Sequence, residues 1–235
     1  MIKFLPLFLF IFFLVGCSNE NNDEIIKFGI AQKPQNLDPS IAADASSERL
    51  NHLIYSYLFH YDKSFQIKSD FVKWRNINKK SFLFTIKKNL PFFTNNKQVD
   101  IYDIVASIKY LKDLKTSRYS NELSIINKID IISDSQFQLN LNKHDPNFLN
   151  RLEIPIFSKD LLNKKHNFSL KPIGSGSFSF LLEEGKIKLK RRSDNQVIEF
   201  IEIKDPTVRA LKLIRKEIDI IQNDLPLATV NFLKE

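Results

Sequence analysis

The clearest pattern of apolar and polar positions lies between Ser81 and Lys87. Phe82, Phe84 and Ile86 fall on one side of an extended chain, and the residues between them fall on the other. Because the side chains of a strand point alternately to its two faces, this period of two predicts a β-strand.

A helical pattern follows that strand. Asn95 and Asn96 supply the chemistry of a turn. Asp100 can accept the first free backbone amides of a helix, and Asp103 adds negative charge to its first turn. Apolar residues then recur at helical spacing, at Ile101, Ile104, Val105, Ile108 and Leu111. Strand, turn and capped amphipathic helix together predict a globular α/β domain.

Further segments continue this mixture of strands and helices. Strands are predicted at Ile25–Ala31, Ile125–Ile131, Gln136–Leu141, Phe178–Glu183, Lys186–Arg192, Phe200–Ile203 and Ile218–Ile220. Helices are predicted at Ala45–Leu58 and from Asp205 to Ile214. Another helix is expected to begin with Asp145 as its N-cap and Pro146 at its first helical position.

The first 16 residues have the pattern of a secretory signal. A single basic residue, Lys3, precedes an apolar run from Phe4 to Val15. That run is too short to span a bilayer but suits the hydrophobic region of a signal peptide. The alternative is an uncleaved anchor helix with an incidental cysteine, and the signal is the favoured interpretation.

The signal pattern ends in Leu14-Val15-Gly16-Cys17, which matches the bacterial lipobox. Residues 1–17 are therefore expected to comprise a lipoprotein signal peptide and a lipidated Cys17, followed by a polar tether at 18–24. A buried acyl chain contributes about 0.8 kcal/mol per CH₂ to membrane attachment. The single cysteine also excludes an internal disulfide framework.

The formal charge of +8 is compatible with an anionic partner such as nucleic acid or a membrane surface. The lysines are scattered, however, and no zinc-finger, helix-turn-helix or RNA-binding signature concentrates them. One strand places Lys186, Lys188, Lys190 and Arg192 on a single face, which is expected to be solvated. We expect no nucleic-acid partner.

Catalytic and metal-binding motifs are not evident. The four histidines, at positions 52, 60, 144 and 166, are too far apart to form a helical metal pair. Gly174 and Gly176 could suggest a phosphate cradle, but a P-loop ending and a third glycine are missing, so a tight turn between domains is favoured. A Ser-His-Asp set stays open, but no nucleophile elbow is present. We expect no enzyme activity, cofactor or metal.

Several motifs, in order along the chain, resemble those of the extracellular solute-binding proteins of family 5, which include the di- and oligopeptide-binding components of ABC importers. The matching segments are Leu37-Asp38-Pro39, Asp70-Phe71-Val72-x-Trp74, Phe82–Lys87, Phe93–Asn96, Asp103–Ser107, Asp145–Leu149 and the turn from Lys171 to Phe178. Two positions depart from the family pattern, because Asn96 and Lys216 stand where glycine is usual. Asn96 tolerates a positive φ, but Lys216 leaves a helix without its favoured cap.

The resemblance implies an α/β fold with a periplasmic-binding-protein-like (type II) lobe, an inserted α+β accessory domain and mixed sheets. Residues 25–44 plus 171–235 would form the main lobe, and residues 45–170 the accessory domain. The chain stops at Glu235, about where the family crosses into its second lobe, so that lobe is expected to be absent.

The same resemblance implies a binding function. The protein would capture a peptide or other small solute at the periplasmic side of a bacterial envelope, anchored through Cys17, and pass it to ABC permease subunits. Its ligand-binding residues would include Ala43, Asp44, Ala45, Tyr55 and Ser177. A nickel complex, haem or a sugar is left open as the ligand. The alternatives are a non-transport scaffold lipoprotein and, least favoured, an extracytoplasmic enzyme.

Overall fold

The computed structural model describes residues 25–222 and 225–234. Its strands are β1 (Ile26–Ile30), β2 (His60–Tyr61), β3 (Ile67–Lys68), β4 (Val72–Asn78), β5 (Ser81–Ile86), β6 (Ile126–Ser133), β7 (Gln136–Leu141), β8 (Phe178–Glu183), β9 (Lys186–Arg191), β10 (Val197–Glu202) and β11 (Ile220–Ile221). Its α-helices are α1 (Ala45–Ile54), α2 (Ile101–Asp113), α3 (Ser120–Leu123), α4 (Lys159–Asn163), α5 (Pro206–Ile214) and α6 (Leu227–Phe232), and a 3₁₀-helix covers Phe148–Leu152. The architecture is mixed α/β.

Five strands form a mixed sheet, the main sheet, in the order β11-β1-β10-β9-β8. β1 runs parallel to both neighbours, whereas β8, β9 and β10 pair antiparallel. Phe28 lies opposite Phe200 across the β1–β10 pair, with ring centroids 5.4 Å apart. The strands come from residues 26–30 and 178–221, so distant parts of the chain meet in this sheet.

Four strands from residues 72–141 form a second, antiparallel sheet in the order β4-β5-β7-β6. The strand predicted from alternation is β5. Phe84 is fully buried between its cross-strand partners Trp74 and Phe137, and its ring stacks on that of Phe137 at 4.8 Å. These aromatic pairs supply much of the burial that stabilises the sheet. Residues of both sheets contribute to one contiguous apolar core.

The predicted cap of α2 is confirmed. The Asp100 carboxylate accepts a hydrogen bond from the Asp103 amide at 2.9 Å, and the Asp103 carboxylate accepts one from the Asp100 amide at 3.0 Å. Asp103 also accepts hydrogen bonds from Lys97 Nζ at 2.7 Å and from the Lys159 amide at 2.8 Å. Its side chain is fully buried. Asp103 therefore joins α2 to the start of α4, in addition to its predicted charge effect.

The helix prediction over Ala45–Leu58 is wrong beyond Ile54, where α1 ends. The following residues are extended and lie against residues 154–156. The Leu58 amide, for example, donates a hydrogen bond to the Ile154 carbonyl at 2.8 Å. The helical spacing of apolar residues was misleading there because backbone pairing with a distant segment replaces the helical hydrogen bonds.

The helix predicted to start at Asp145 is also wrong. The segment forms a 3₁₀-helix at Phe148–Leu152, and no side chain caps it. The Asp145 carboxylate instead accepts hydrogen bonds from Arg151 Nε at 2.6 Å and from the Asn147 amide at 2.9 Å. Asp145 thus stabilises the turn before the 3₁₀-helix with one carboxylate oxygen and binds Arg151 with the other.

Six described non-glycine residues have a positive φ, and two of them, Asn96 and Lys216, are the positions where the sequence predicted glycine geometry. Asn96 has a φ of 65°, as predicted, and Lys216 has a φ of 57° just after α5. Residues other than glycine, asparagine and aspartate pay about 1–2 kcal/mol for this conformation. Helix α5 therefore ends with the geometry of a glycine cap but without the glycine.

The prediction of a solvated lysine face on β9 is wrong at Lys188. This side chain is buried, and its Nζ lies 2.6 Å from the Glu183 carboxylate. Burial of the charge is compatible with folding because the paired carboxylate neutralises it.

The predicted signal peptide, Cys17 and the tether at 18–24 lie outside the described residues. Over the ranges that are described, no helix has the length and apolar character needed to cross a membrane.

Candidate functional site

A cleft of about 750 Å³ lies between the end of α1, the loop before β8 and the segments that flank β4 and β5. We call it the α1 cleft. Its lining includes Tyr55, Tyr57, His60, Asp70, Phe71, Phe92, Glu153, Ser175, Ser177 and Arg192. Aromatic walls with a few polar and charged groups are typical of small-ligand sites.

The loop before β8 forms one wall, and its two glycines are required by close packing. A β-carbon on Gly174 would lie 2.1 Å from the Ile54 carbonyl oxygen, and one on Gly176 would lie 2.4 Å from that of Leu53. The Ser56 hydroxyl also donates to the Ser175 carbonyl at 2.8 Å. These contacts fix the loop against the end of α1, and they account for the Gly-x-Gly pattern without a phosphate.

The extended residues that follow α1 also line the cleft. Tyr57 forms an antiparallel bridge with Pro155, which places Glu153 beside the cleft. The His52 ring stacks on Tyr57, with ring centroids 4.1 Å apart. The residues on either side of Glu153, Leu152 and Ile154, are fully buried, so its backbone is held firmly in place.

Arg192 closes one end of the cleft. Its Nη1 donates hydrogen bonds to the Phe92 carbonyl at 2.6 Å and to the Gly176 carbonyl at 3.2 Å. This guanidinium therefore joins the end of β9 to the turn before α2. The lining of the cleft also includes two carboxylates, those of Asp70 and Glu153.

Burial controls the titration of several groups around the cleft. Desolvation raises the pKa of the Glu153 carboxyl, even though the charges of His52, His60 and Arg118 oppose the shift. Desolvation also raises the pKa of the Tyr55 hydroxyl, helped by the negative charge of Asp38. Tyr55 is therefore a neutral phenol at physiological pH.

The Ser175 hydroxyl is a polar group of a different kind. The side chain is buried, and its oxygen has no hydrogen-bonding partner among the described residues. Buried polar groups are normally satisfied, so an unsatisfied hydroxyl in a cleft is available to a ligand or to water.

A second cleft of about 490 Å³ adjoins the first, and Glu153 lines both. Its arginines are already engaged: Arg118 pairs with Glu48, and Arg151 pairs with Glu122 and Asp145. Tyr119 also lines it, and desolvation raises the pKa of its hydroxyl to about 12.

The predicted ligand-binding residues fall into two groups. Tyr55 and Ser177 both line the α1 cleft. Ala43 and Ala45 are exposed and do not line it, and Asp44 is the N-cap of α1, accepting a hydrogen bond from the Ser47 amide at 2.9 Å. The role of all five residues in binding stays a prediction.

Sequence reasoning missed Glu153, His60 and Arg192 as cleft residues. They come from segments far apart in sequence, and no local pattern connects them. The described residues contain no group of three histidine, cysteine or acidic side chains placed to hold a metal ion.

Solved structures share this fold. DppA from Helicobacter pylori, in complex with the peptide STSA, is 24% identical with a TM-score of 0.75, over 89% of this chain and 48% of that one. AppA from Bacillus subtilis, in complex with a nonapeptide, is 21% identical with a TM-score of 0.77, over 89% and 45%. NikZ from Campylobacter jejuni, in complex with Ni(L-His), is 20% identical with a TM-score of 0.76, over 90% and 45%. This chain thus spans less than half the length of each.

Sequence comparison gives the family. No curated protein matches the chain significantly. The profile described as "Bacterial extracellular solute-binding proteins, family 5 Middle" matches residues 51–235, which is most of the chain and includes the second sheet, the α1 cleft and all of the main sheet except β1. The chain therefore belongs to the bacterial extracellular solute-binding proteins of family 5.

Proposed function

We propose that this protein is the solute-binding component of an ABC-type importer and that it captures peptides outside the cytoplasmic membrane. The observation that carries the proposal is a cleft of about 750 Å³ in a chain of a solute-binding family. Two of the three similar structures described above contain bound peptides, which makes a peptide the first ligand to test.

The chemistry of the α1 cleft suits a short peptide. Phe92 offers apolar surface, and the exposed Ser177 offers a hydroxyl that can exchange hydrogen bonds with a peptide main chain. Recognition through main-chain groups gives affinity without strong dependence on side chains. Such a site would accept peptides of varied sequence.

The proposal includes a two-part organisation and a place in the envelope. Residues 25–44 and 171–235 would form the main lobe, and residues 45–170 the accessory domain. A lipid on Cys17 would hold the protein at the periplasmic side of the membrane, where it would deliver its ligand to permease subunits. The lipobox and the family supply the support for this placement.

Binding of trialanine to the purified full chain, measured by isothermal titration calorimetry, tests the proposal. A Ser177→Trp change would obstruct the α1 cleft and abolish binding. Ser133→Trp, at an exposed strand end that does not line the cleft, would leave binding unchanged. Failure of trialanine and other short peptides to bind the unmodified chain would contradict peptide capture.

The exposed loop at Ala43 and Ala45 is tested in the same assay. If this loop contacts the ligand, an Ala43→Trp and Ala45→Trp double change lowers affinity while the thermal unfolding midpoint stays the same, because both side chains are exposed. Unchanged affinity would remove these residues from the site and leave the α1 cleft as the binding position.

Membrane placement is tested separately by cell fractionation. A Cys17→Ala change should abolish incorporation of labelled palmitate and release the protein from the membrane fraction. Continued retention without lipid would contradict the anchor.

A further inference from the structure

The hairpin formed by β2 and β3 belongs to neither of the two larger sheets. Among the described strands, these two pair only with each other. The Asp62 carboxylate orders the turn between them, because it accepts hydrogen bonds from the Ser64 amide at 2.8 Å and from the Gln66 amide at 2.9 Å. The Phe65 amide also donates to the Asp62 carbonyl at 2.9 Å. The turn therefore holds residue 65 in a defined conformation.

Phe65, at the tip of this hairpin, combines high exposure with an unfavourable backbone. Its exposed fraction of 85% is the highest among the large apolar side chains of the described residues. Its φ is 56°, in the left-handed region. Of the six described non-glycine residues with positive φ, three are asparagines, two are lysines and Phe65 is the aromatic one. A bulky residue in this region is an outlier, whereas a single exposed apolar side chain is common.

The interior of the protein does not use the Phe65 ring. Phe65 belongs neither to the apolar core nor to the half-buried apolar residues that pack on it. Glycine or asparagine would adopt the same backbone with less strain. An aromatic ring that the fold holds in solvent at an energetic cost indicates a contact with another surface.

The surroundings of Phe65 are basic. Four lysines lie on the hairpin or next to it, at positions 63, 68, 73 and 87. Three of them line one shallow cleft beside β3, and the other is exposed in the turn. Residues 60–73 also contain two carboxylates: Asp62 lies 3.7 Å from Lys68, and Asp70 lies 3.9 Å from His60. Positive charge therefore exceeds negative charge here, which suits an anionic surface.

We infer that the β2–β3 hairpin contacts the surface of an anionic phospholipid bilayer, with the Phe65 ring between the headgroups and the acyl chains. Apolar or aromatic side chains together with lysines are typical of segments that lie at such a surface. A bilayer accepts the ring without a shape-matched pocket, whereas a protein partner would need one, and this favours lipid. The inference rests on the proposed placement at a membrane and is independent of which solute the protein captures.

Flotation of the full chain with vesicles of equal parts phosphatidylglycerol and phosphatidylcholine tests this contact. Phe65→Asn is expected to lower the partition coefficient at least about fivefold, because the apolar ring is lost. The same change should not lower the thermal unfolding midpoint, because asparagine tolerates the left-handed conformation. Leu182→Asn, which removes an exposed apolar side chain from β8, should leave partitioning unchanged. All variants share residues 1–24, so a difference between them does not arise from the N-terminal segment.

The role of charge is tested on the same vesicles. Lys63→Gln should lower partitioning at least about twofold with phosphatidylglycerol present and should have no effect on phosphatidylcholine alone. Lys164→Gln, which changes an exposed lysine just after α4, should have no effect on either.

The position of the ring is tested with lipids that carry bromine on their acyl chains, which quench tryptophan fluorescence on contact. A Phe65→Trp variant should be quenched, and a Leu182→Trp variant should not. The unmodified chain, with Trp74 as its single tryptophan, gives the background.

The outcomes separate this inference from the proposed function. Equal partitioning of Phe65→Asn and the unmodified chain would overturn it, as would a lower unfolding midpoint, which would give the ring a structural role. Equal quenching at positions 65 and 182 would show unspecific adsorption and overturn the assignment to the hairpin. A photocrosslink from position 65 to a protein, without vesicle binding, would overturn the lipid in favour of a protein partner. Failure of trialanine to bind, or of Cys17 to carry lipid, would contradict the proposed function and leave the vesicle result unchanged.

Discussion

The Gly176 amide donates a hydrogen bond to the Ile54 carbonyl at 2.9 Å, and this bond joins the loop before β8 to the last turn of α1. The contact brings together two segments that are far apart in sequence and sets the shape of the α1 cleft. Backbone packing between these two segments therefore determines the position of this wall of the cleft.

Gly174→Ala is expected to destabilise the protein by about 2–3 kcal/mol. The new β-carbon would lie 2.1 Å from the Ile54 carbonyl oxygen, so the loop or the end of α1 must move. Urea denaturation followed by circular dichroism measures the change.

The matched control is Gly185→Asn. Gly185 has a φ of 71°, and a β-carbon there would meet nothing within 4 Å. Asparagine tolerates this conformation, so we expect a loss below about 1 kcal/mol. A loss at Gly185 equal to that at Gly174 would mean that close packing is not the reason for the glycine.

Glu153→Gln is expected to raise stability at neutral pH. Desolvation raises the pKa of Glu153 in the folded protein above its ordinary value of 4.5, so the folded state binds the proton more tightly than the unfolded state. Stability from this group is therefore present at low pH and is lost as pH rises through the folded pKa. The gain in the variant should appear at pH 7 and vanish below about pH 4.5.

Thermal unfolding at several pH values measures this effect, with Glu184→Gln as the exposed control. A Glu153 variant that is less stable than the unmodified protein at pH 7 would show that the carboxylate has a stabilising partner.

Asp103→Ala is expected to cost about 1–3 kcal/mol, because it leaves the amides of Asp100 and Lys159 without their acceptor. Lys97 loses its shortest ion pair, but the carboxylates of Asp100 and Asp160 remain 3.8 and 3.4 Å from its Nζ. Asp113→Ala, at an exposed position at the end of the same helix, should change stability by less than about 0.5 kcal/mol. Chemical denaturation compares the two. If both variants lost similarly little stability, the contacts of Asp103 with Lys97 and with the start of α4 would not contribute to the stability of the fold.

Asp44 allows helix capping and ligand binding to be separated. Asp44→Ala should lower stability by about 1 kcal/mol, because Ser47 loses its acceptor, whereas Asp44→Asn should retain most of the cap. If the carboxylate also contacts a ligand, both variants will lose affinity. The asparagine variant will do so while keeping most of its stability, and the alanine variant will lose stability as well. Equal stability of the alanine and unmodified proteins would contradict the capping role.

The pH dependence of this cap follows from its hydrogen bonds. Desolvation alone would raise the pKa of Asp44, but hydrogen bonds from Ser47 and Gln35 outweigh it and lower the pKa below the ordinary value of 3.8. The stability that the carboxylate contributes is thus present above about pH 3.8 and is lost as the pH falls through the folded value. The difference between Asp44→Asn and the unmodified protein should accordingly change only in that acid range.

Local patterns were sufficient for much of the fold. The alternation that predicted β5, the capped helix α2 and the two strands on either side of Gly185, β8 and β9, each depend on residues close together in sequence. The end of α1 could not be predicted in this way, because residues 56–58 pair with residues 154–156 instead of continuing the helical hydrogen bonds. Lys188 is a similar case, since its burial depends on the position of Glu183 in a folded hairpin.

The candidate site was less accessible to sequence reasoning. Tyr55 and Ser177 were named through a family resemblance, and both line the α1 cleft. Glu153 gave no signal, because it lies beside the cleft only through the pairing of Tyr57 with Pro155, two segments far apart in sequence. Such a relationship exists only in three dimensions.

The parallel pairing of β1 has a consequence for the order in which the protein folds. β1 ends at Ile30, and its two partners begin at Val197 and Ile220. The second sheet uses only residues 72–141 and can assemble from contacts that are much closer along the chain. Contacts of long sequence separation form slowly. β1 must therefore stay unpaired until the segment from Val197 onward is available, and a chain cut before Val197 would leave it without either of its two neighbours in the main sheet.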